Sequence, residues 1–350
     1  MVSADDDARN QLGRASVPEL DVVGIGSPLV DVLASATDEL VDRVGLTRGA
    51  MALVDVDRAE AVHRQMGSAT AASGGSAANT VAGVAALGGR AAFLGKVADD
   101  DLGEVFTNDI RAAGVEFDPV PVPVGSGDDR LGTGRCLVLV TADGERTMAT
   151  HLGVATTLGP GDVAEDLVAR ARIVYLEGYL WDLPPAKDAL RRAADVAHDH
   201  DGSVALSLSD AACVQRHRRD FLDLLLDRVD VLFGNEQEVL ELFGSPSLDQ
   251  AVDAAMETGL LVAITLGERG VVVTTARGPA EVPAADAATV VDTTGAGDLF
   301  AAGFLFGLTH GADPERSARL GALCAAETVG HFGARPKEDL KALAGRAGLI

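Results

Sequence analysis

The sequence predicts an α/β fold in which a largely parallel sheet is buried between helical layers, with a small β-sheet lid above it. Apolar strand-like runs alternate with segments of helical spacing along most of the chain. Two stretches rich in Gly, Pro and β-branched residues interrupt that alternation. The length of 350 residues, with 47% hydrophobic and 23% charged, suits one large domain plus an appendage.

The first strand covers 20–25 (LDVVGI), and a helix over 79–87 stops at Gly88-Gly89. A strand at 91–97 and a helix at 101–113 follow. From 162 the alternation is regular: helix 162–171, strand 173–179, helix 185–200, strand 203–209, helix 212–228, strand 230–233 and helix 235–243. It continues with helix 247–258, strands 260–266, 270–276 and 280–283, and helices 295–308 and 314–329. The interrupting stretches are 45–55 and 118–150, with a hairpin signal at Ala142-Asp143-Gly144. Their shared character predicts one lid, leaving 17–44, 56–117 and 151–350 as the core and 1–16 as a loose acidic tail.

Against 53 acidic residues stand 29 basic ones, a net charge of −24 that repels phosphate backbones and anionic lipids, so neither nucleic acid nor membrane is an expected partner. Lysines number four, the other basic residues being arginine, which fits a GC-rich genome and a salty habitat equally. Cys136, Cys213 and Cys324 lie far apart, without disulfide or metal spacing. The start lacks the basic and apolar regions of a secretion signal, and no apolar run of membrane-spanning length follows. A cytoplasmic location is the expectation.

The chemistry concentrates in 290–308 (VVDTTGAGDLFAAGFLFGL). Here Gly295, Ala296 and Gly297 lead directly into an apolar helix, whose first N–H groups lack intrahelical partners and suit an anion. Asp298 stands in the first helical turn, where the positive helix end is expected to keep its carboxylate ionised and ready to accept a proton. A base beside an anion hole is what phosphoryl transfer to an alcohol requires. A Gly-rich turn with a helix-stabilising Asp is the plainer alternative. The nearest P-loop-like stretch (GGRAAFLGKV, 88–97) has the wrong spacing and Val97 where a hydroxyl is needed. At Gly24-Ile25-Gly26-Ser27-Pro28-Leu29, Leu29 occupies the third glycine's place of a dinucleotide fingerprint.

Two segments, GGSAANTVAGVAALGGRAAFLGKVADDDLGEVF (74–106) and DTTGAGDLFAAGFLFG (292–307), resemble the signature segments of the PfkB (ribokinase-like) carbohydrate kinase family. The likeness extends over nearly all of 20–340. It implies a ribokinase-like, doubly wound and mostly parallel sheet flanked by helices, with a small β-sheet lid, and transfer of the γ-phosphate of ATP to a hydroxymethyl group. Carried over, it makes Asp298 the base, Gly295, Ala296 and Gly297 the anion-hole amides, and Arg146 the lid arginine that steadies the transferred phosphate. Asn235 and Glu238 resemble the family's NxxE element, with Glu238 organising Mg²⁺ through water. Thr265, Gly267 and Gly270 correspond to the nucleotide-side strand and turn.

On the acceptor side, Ser27 and Asp31 fall in a segment similar to that of the family's adenosine kinase branch, where the Asp accepts from two neighbouring sugar hydroxyls. Gly74, Gly75 and Asn79 line the same sugar. Adenosine kinases often carry Asn where Ser27 stands, so the base is less defined than the sugar. The resemblance implies a kinase acting on the 5′-hydroxyl of adenosine or a related nucleoside, with a ribokinase- or fructokinase-type sugar kinase and a non-catalytic nucleoside- or sugar-binding sensor as alternatives. K⁺ activates many members through carbonyls, for which Asp292, Thr294 and Gly333 are the candidates here. Lid sheets pair between subunits in part of the family, so a homodimer through the lid is among the expectations.

Overall fold

The computed structural model describes residues 19–124, 131–287 and 289–350. The expected 1–16 tail, and 125–130 of the expected lid, lie outside the described residues. In chain order the strands are β1 (Leu20–Ile25), β2 (Leu29–Ser35), β3 (Met51–Leu53), β4 (Ala69–Gly74), β5 (Ala91–Leu94), β6 (Val115–Glu116), β7 (Gly134–Val140), β8 (Arg146–His151), β9 (Ala171–Glu177), β10 (Ser203–Ser207), β11 (Val231–Asn235), β12 (Leu261–Thr265), β13 (Val271–Thr275) and β14 (Gly278–Val282). The α-helices are α1 (Asp38–Arg43), α2 (Val56–His63), α3 (Ser76–Ala86), α4 (Asp101–Ala112), α5 (Glu165–Val168), α6 (Pro184–Asp199), α7 (Ala211–Arg228), α8 (Glu236–Phe243), α9 (Leu248–Thr258), α10 (Ala296–Thr309), α11 (Pro314–Val329) and α12 (Leu340–Arg346).

A nine-stranded sheet runs β14-β13-β12-β11-β10-β9-β1-β5-β6. Its strands are parallel from β6 to β12, and β13 and β14 add antiparallel at the edge. β1 is buried at every position, as a central strand covered on both faces must be. Val22 joins one core and Val23 and Ile25 the other. The strand order changes direction at β1, between β9 and β5, which opens a crevice at the carboxyl ends of the strands.

From β1 the chain turns through Gly26-Ser27-Pro28 into a second sheet, ordered β3-β8-β7-β2-β4. β2 alternates in burial: Val30, Val32 and Ala34 point inward, while Asp31 lies on the other face. The second sheet therefore takes β2 and β4 from segments the sequence reading placed in the core, and within 45–55 only Met51–Leu53 is strand. Ala-rich β4 (ATAASG) has little β-propensity and is ordered by pairing with β2 rather than by its own residues. The expected helix 162–171 shrinks to the 3₁₀ turn Pro160–Asp162 and the single turn α5, and β9 already begins at Ala171.

α10 is apolar on all sides and buried from Leu299 to Gly307. Small residues let its neighbours close on it. A Cβ on Gly83 of α3 would lie 2.6 Å from Ala302 Cβ, and one on Gly303 would lie 2.8 Å from Gly321 Cα of α11. Such contact fixes the start of α10 relative to α3.

Candidate active site

α10 begins without a side-chain cap. Gly295 stands at the cap position with φ +79°, a left-handed backbone that glycine adopts without strain, and a Cβ there would meet Ala334 Cβ at 2.4 Å. The N–H groups of Gly297 and Asp298 have no partner among the described residues, while the Ala296 N–H donates to Thr293 O over 3.2 Å. A Cβ built on Gly297 meets nothing within 4 Å. Unpaired amides at a positive helix end, with open space above them, form a seat for an anion.

Asp298 sits in that turn, half-buried. Its Oδ1 accepts from Ser76 Oγ at 2.6 Å and its Oδ2 from Asn79 Nδ2 at 2.9 Å. Both donors belong to the first turn of α3. Burial pushes the Asp298 carboxyl up from its ordinary value, and the two hydrogen bonds and the Arg335 charge counter only part of this. Desolvation thus acts against the helix end, which is expected to keep the carboxylate ionised, and makes Asp298 a stronger proton acceptor.

Asp31, midway along β2, pairs in register with Ala72 of β4 and Cys136 of β7. Burial raises its carboxyl to about 6, opposed by Arg146 and Arg335 and assisted by the Asp298 charge. A Cβ on Gly74 would come within 2.6 Å of Asp31 Oδ2, so a side chain there would displace this carboxylate. Gly75, at φ +97°, starts α3. Ser27 is buried, and its N–H donates to Glu177 Oε1 at 3.4 Å. Asp31, Ser27, Gly74, Gly75, Asn79 and Asp298 thus gather around one corner, where β1, β2, β4, α3 and α10 meet.

Arg146, at the start of β8, reaches across to the anion seat. Its Nη2 lies 2.7 Å from Asp292 Oδ2, and its guanidinium lies over the Phe332 ring, 5.6 Å from the centroid. The Asp292 carboxylate also accepts from Thr294 N at 3.1 Å and Gly333 N at 2.9 Å. These four predicted residues therefore cluster in space.

The expected nucleotide-side residues form a separate group. Asn235 and Thr265 are register partners in β11 and β12, and Gly267 and Gly270, both at positive φ, turn the chain into β13. Asn235 and Glu238 close a reciprocal capping box at the start of α8: Glu238 accepts from Asn235 N at 2.9 Å and Asn235 Nδ2 at 2.7 Å, and Glu238 N donates to Asn235 Oδ1 at 2.9 Å. Burial pushes Glu238 up to about 7. Tyr179 keeps 40% of its surface exposed, and its phenol, raised by burial, also feels the charges of Asp298, Asp210, Glu177 and Glu238. Trp181 is wholly buried, stacked on Phe221.

Sequence reasoning missed three residues here. Ser76 binds Asp298 directly. Arg335 donates to Ala78 O and Ser73 Oγ. Glu177, only 2% exposed at the end of β9, accepts from Ala77 N at 2.9 Å as well as from Ser27 N. Burial raises Glu177 to about 7. Its sequence signal was an acid ending the apolar run IVYLE. Away from this site, Asp182, Cys213 and His217 have metal-compatible spacing, but Arg216 takes both Asp182 oxygens and Lys187 lies 3.2 Å from His217 Nδ1. Asp182 and His217 are thus already matched by cations, and the Cys213 thiol donates to Gly178 O at 3.7 Å.

The profile of the pfkB family carbohydrate kinase matches residues 38–340. The adenosine kinase of Saccharomyces cerevisiae is 30% identical over 336 residues, covering 89% of this chain and 95% of that protein. Among solved structures, the adenosine kinase from Sinorhizobium meliloti is 48% identical with a TM-score of 0.86, covering 94% of this chain and 99% of its own. A "probable sugar kinase protein" from Rhizobium etli is 43% identical with a TM-score of 0.88, covering 95% and 100%. No helix among the described residues is long and apolar enough to cross a membrane. The chain belongs to the pfkB family of carbohydrate kinases, phosphotransferases that use ATP with a divalent metal to phosphorylate hydroxyl groups.

Proposed function

We propose that this chain phosphorylates the 5′-hydroxyl of adenosine or a related nucleoside. The observation that carries the reading is the Asp298 carboxylate, held by Ser76 and Asn79 in the turn whose Gly297 and Asp298 amides are open, with Asp31 at the same corner. The 48% identity to the S. meliloti adenosine kinase supports a nucleoside acceptor.

Asp31 accepts from the two neighbouring ribose hydroxyls and so points the 5′-hydroxyl at Asp298. As that oxygen attacks the terminal phosphorus in line, its proton passes to Asp298, the bond to the bridging oxygen breaks, and ADP leaves with the electron pair. The charge on the transferred group falls to the amides of Gly295, Gly297 and Asp298, to that of Ala296 once it gives up Thr293 O, and to Arg146, which exchanges Asp292 for the phosphoryl oxygens. Asn235, Thr265, Gly267 and Gly270 border the nucleotide.

Mg²⁺, organised through water by Glu238, would supply charge neutralisation to the phosphates. The site fits it: both Glu238 oxygens are spent on Asn235, which leaves a water-mediated role, and a nearby cation would offset the burial that disfavours this carboxylate. K⁺ would rest on main-chain carbonyls at Asp292, Thr294 and Gly333, because the Asp292 carboxylate is committed to Arg146 and two amides. A second copy pairing at the exposed edge strand β4 is the partner included in this reading, to be checked by light scattering in solution.

The test is ADP release from Mg-ATP with adenosine, inosine, cytidine, ribose and fructose. The highest kcat/KM is expected with adenosine. Turnover with ribose or fructose alone would replace the reading by a sugar kinase, the alternative favoured by the R. etli neighbour. No turnover with any acceptor, alongside a thermal shift with adenosine, would indicate a binding protein.

A further inference from the structure

Arg335 enters neither the sequence motifs nor the proposed transfer. It follows Ala334, the residue packed against Gly295, in the turn after α11. Its Nη1 donates to Ala78 O at 2.9 Å and its Nη2 to Ser73 Oγ at 3.0 Å, so one planar fork spans the start of α3 and the end of β4. Ser73 is in turn fixed by its N–H to Asp109 Oδ2 of α4, at 2.7 Å. The two anchors of the guanidinium adjoin Asn79, which holds Asp298, and Ala72, the register partner of Asp31; the charges of Asp109, Asp31 and Asp298 act on the guanidinium without direct contact, and its Nε is buried without a partner. Enclosing a cation this way is costly unless acids nearby compensate it.

The groups facing Asp298 are the Ser76 and Asn79 side chains from α3, Asp31 from β2, Tyr175 and Glu177 from β9, Tyr179 from the turn after β9, and Arg335. Arg335 is the cation of this set, while Asp31 also faces Arg146 from β8, the larger of its two cationic partners. Burial lowers it only to about 10, so it remains charged at neutral pH.

We propose that Arg335 is a positioning residue for the phosphoryl transfer: one guanidinium ties the C-terminal turn to β4 and α3 and supplies the positive charge that faces Asp298 and Asp31. This rests on the reading of Asp298 as the base. It also accounts for how a base half-buried among other acids is kept usable. With Arg335 neutralised, Asp298 and Asp31 hold their protons to higher pH, and the acceptor hydroxyl has no ionised base to take its proton.

The test compares Arg335→Gln, which removes the charge, with Arg335→Lys, which keeps it. The acid limb of kcat/KM for adenosine is expected to move up by about one pH unit in the Gln variant. At pH 6 that is about a tenfold loss, returning to within about threefold by pH 9. In the Lys variant the limb stays within about 0.3 unit of the parent. A loss in both variants that is the same at every pH would mark Arg335 as merely structural and overturn the proposal. A second readout needs no turnover: the ¹³C carboxyl titration of Asp298, assigned by its absence in Asp298→Asn. Its midpoint should rise in Arg335→Gln and stay in place in Arg335→Lys; an unchanged midpoint in the Gln variant overturns the proposal, even if no acceptor is phosphorylated and the functional reading has itself failed. Should circular dichroism show that the Gln variant does not fold, the Lys variant decides, and a full-unit rise there overturns the proposal.

Discussion

α8 begins with Asn235 and Glu238 closed on one another, each side chain satisfying the other's backbone. α10 begins at a glycine, with no side chain to cap it and two amides unpartnered among the described residues. A capping side chain contributes on the order of 1 kcal/mol to a helix, so α8 is built for stability. α10 forgoes that contribution and obtains its order from apolar burial on all sides and from close contact with α3 and α11. Rigidity without a cap leaves the helix end open to a ligand, and Asp298, the proposed proton acceptor, stands in that open turn.

Removing the acid at the open end should have the largest effect. Asp298→Asn keeps the shape and the Ser76 contact but cannot take a proton, and kcat should fall about 10³-fold while ATP still binds in a thermal-shift assay. Turnover within tenfold of the parent would remove Asp298 from the chemistry and leave the contrast between the helices without its catalytic meaning. Next in size is obstruction of the seat. The space above Gly297 is empty of protein, so Gly297→Val should fold normally yet lose about 10²-fold in kcat/KM for ATP, comparable to losing an anion-hole donor. Unchanged ATP kinetics would place the phosphates elsewhere.

The acids at the open end sharpen the comparison through pH. Asp31 is raised by burial to about 6 and Asp298 is raised as well. Both act ionised in the proposed transfer, so activity is present above these values and is lost as pH falls through them. Between pH 8 and pH 5, kcat/KM for the nucleoside should drop about tenfold, as expected when one carboxyl titrates near 6. A profile flat to pH 4.5 would show that burial does not govern these groups.

What the sequence revealed, and what it hid, follows the same division. The Gly295–Asp298 turn was legible because its residues are contiguous and their meaning is local: glycines at a helix start, then an acid. β1 was legible because a central strand is apolar throughout. Ser76, Glu177 and Arg335 were not, since each acts on a partner far away in the chain; Ser76 and Asp298 are separated by 222 positions. β4 was hidden because alanines signal no strand until β2 lies beside them. The missed residues are those that contact the legible ones from elsewhere in the chain.

The smallest effect is expected at the sealed helix, where it tests the comparison most directly. Asn235→Ala removes the side chain that accepts from Glu238 N and donates to Glu238 Oε1. The expected result is a loss of about 1 kcal/mol of unfolding free energy, read as a lower denaturant midpoint at unchanged slope. Glu238 then retains only the Asn235 N–H, a backbone donor that alanine also supplies, and keeps its place at the start of α8. kcat should therefore fall less than tenfold, since no proton moves through Asn235 and the side chain's first duty is to its own helix. If Asn235→Ala instead matched the loss of Gly297→Val while stability held, the side chain would be bound to ligand during turnover, and α8 would have to be counted with α10 as an end kept for chemistry.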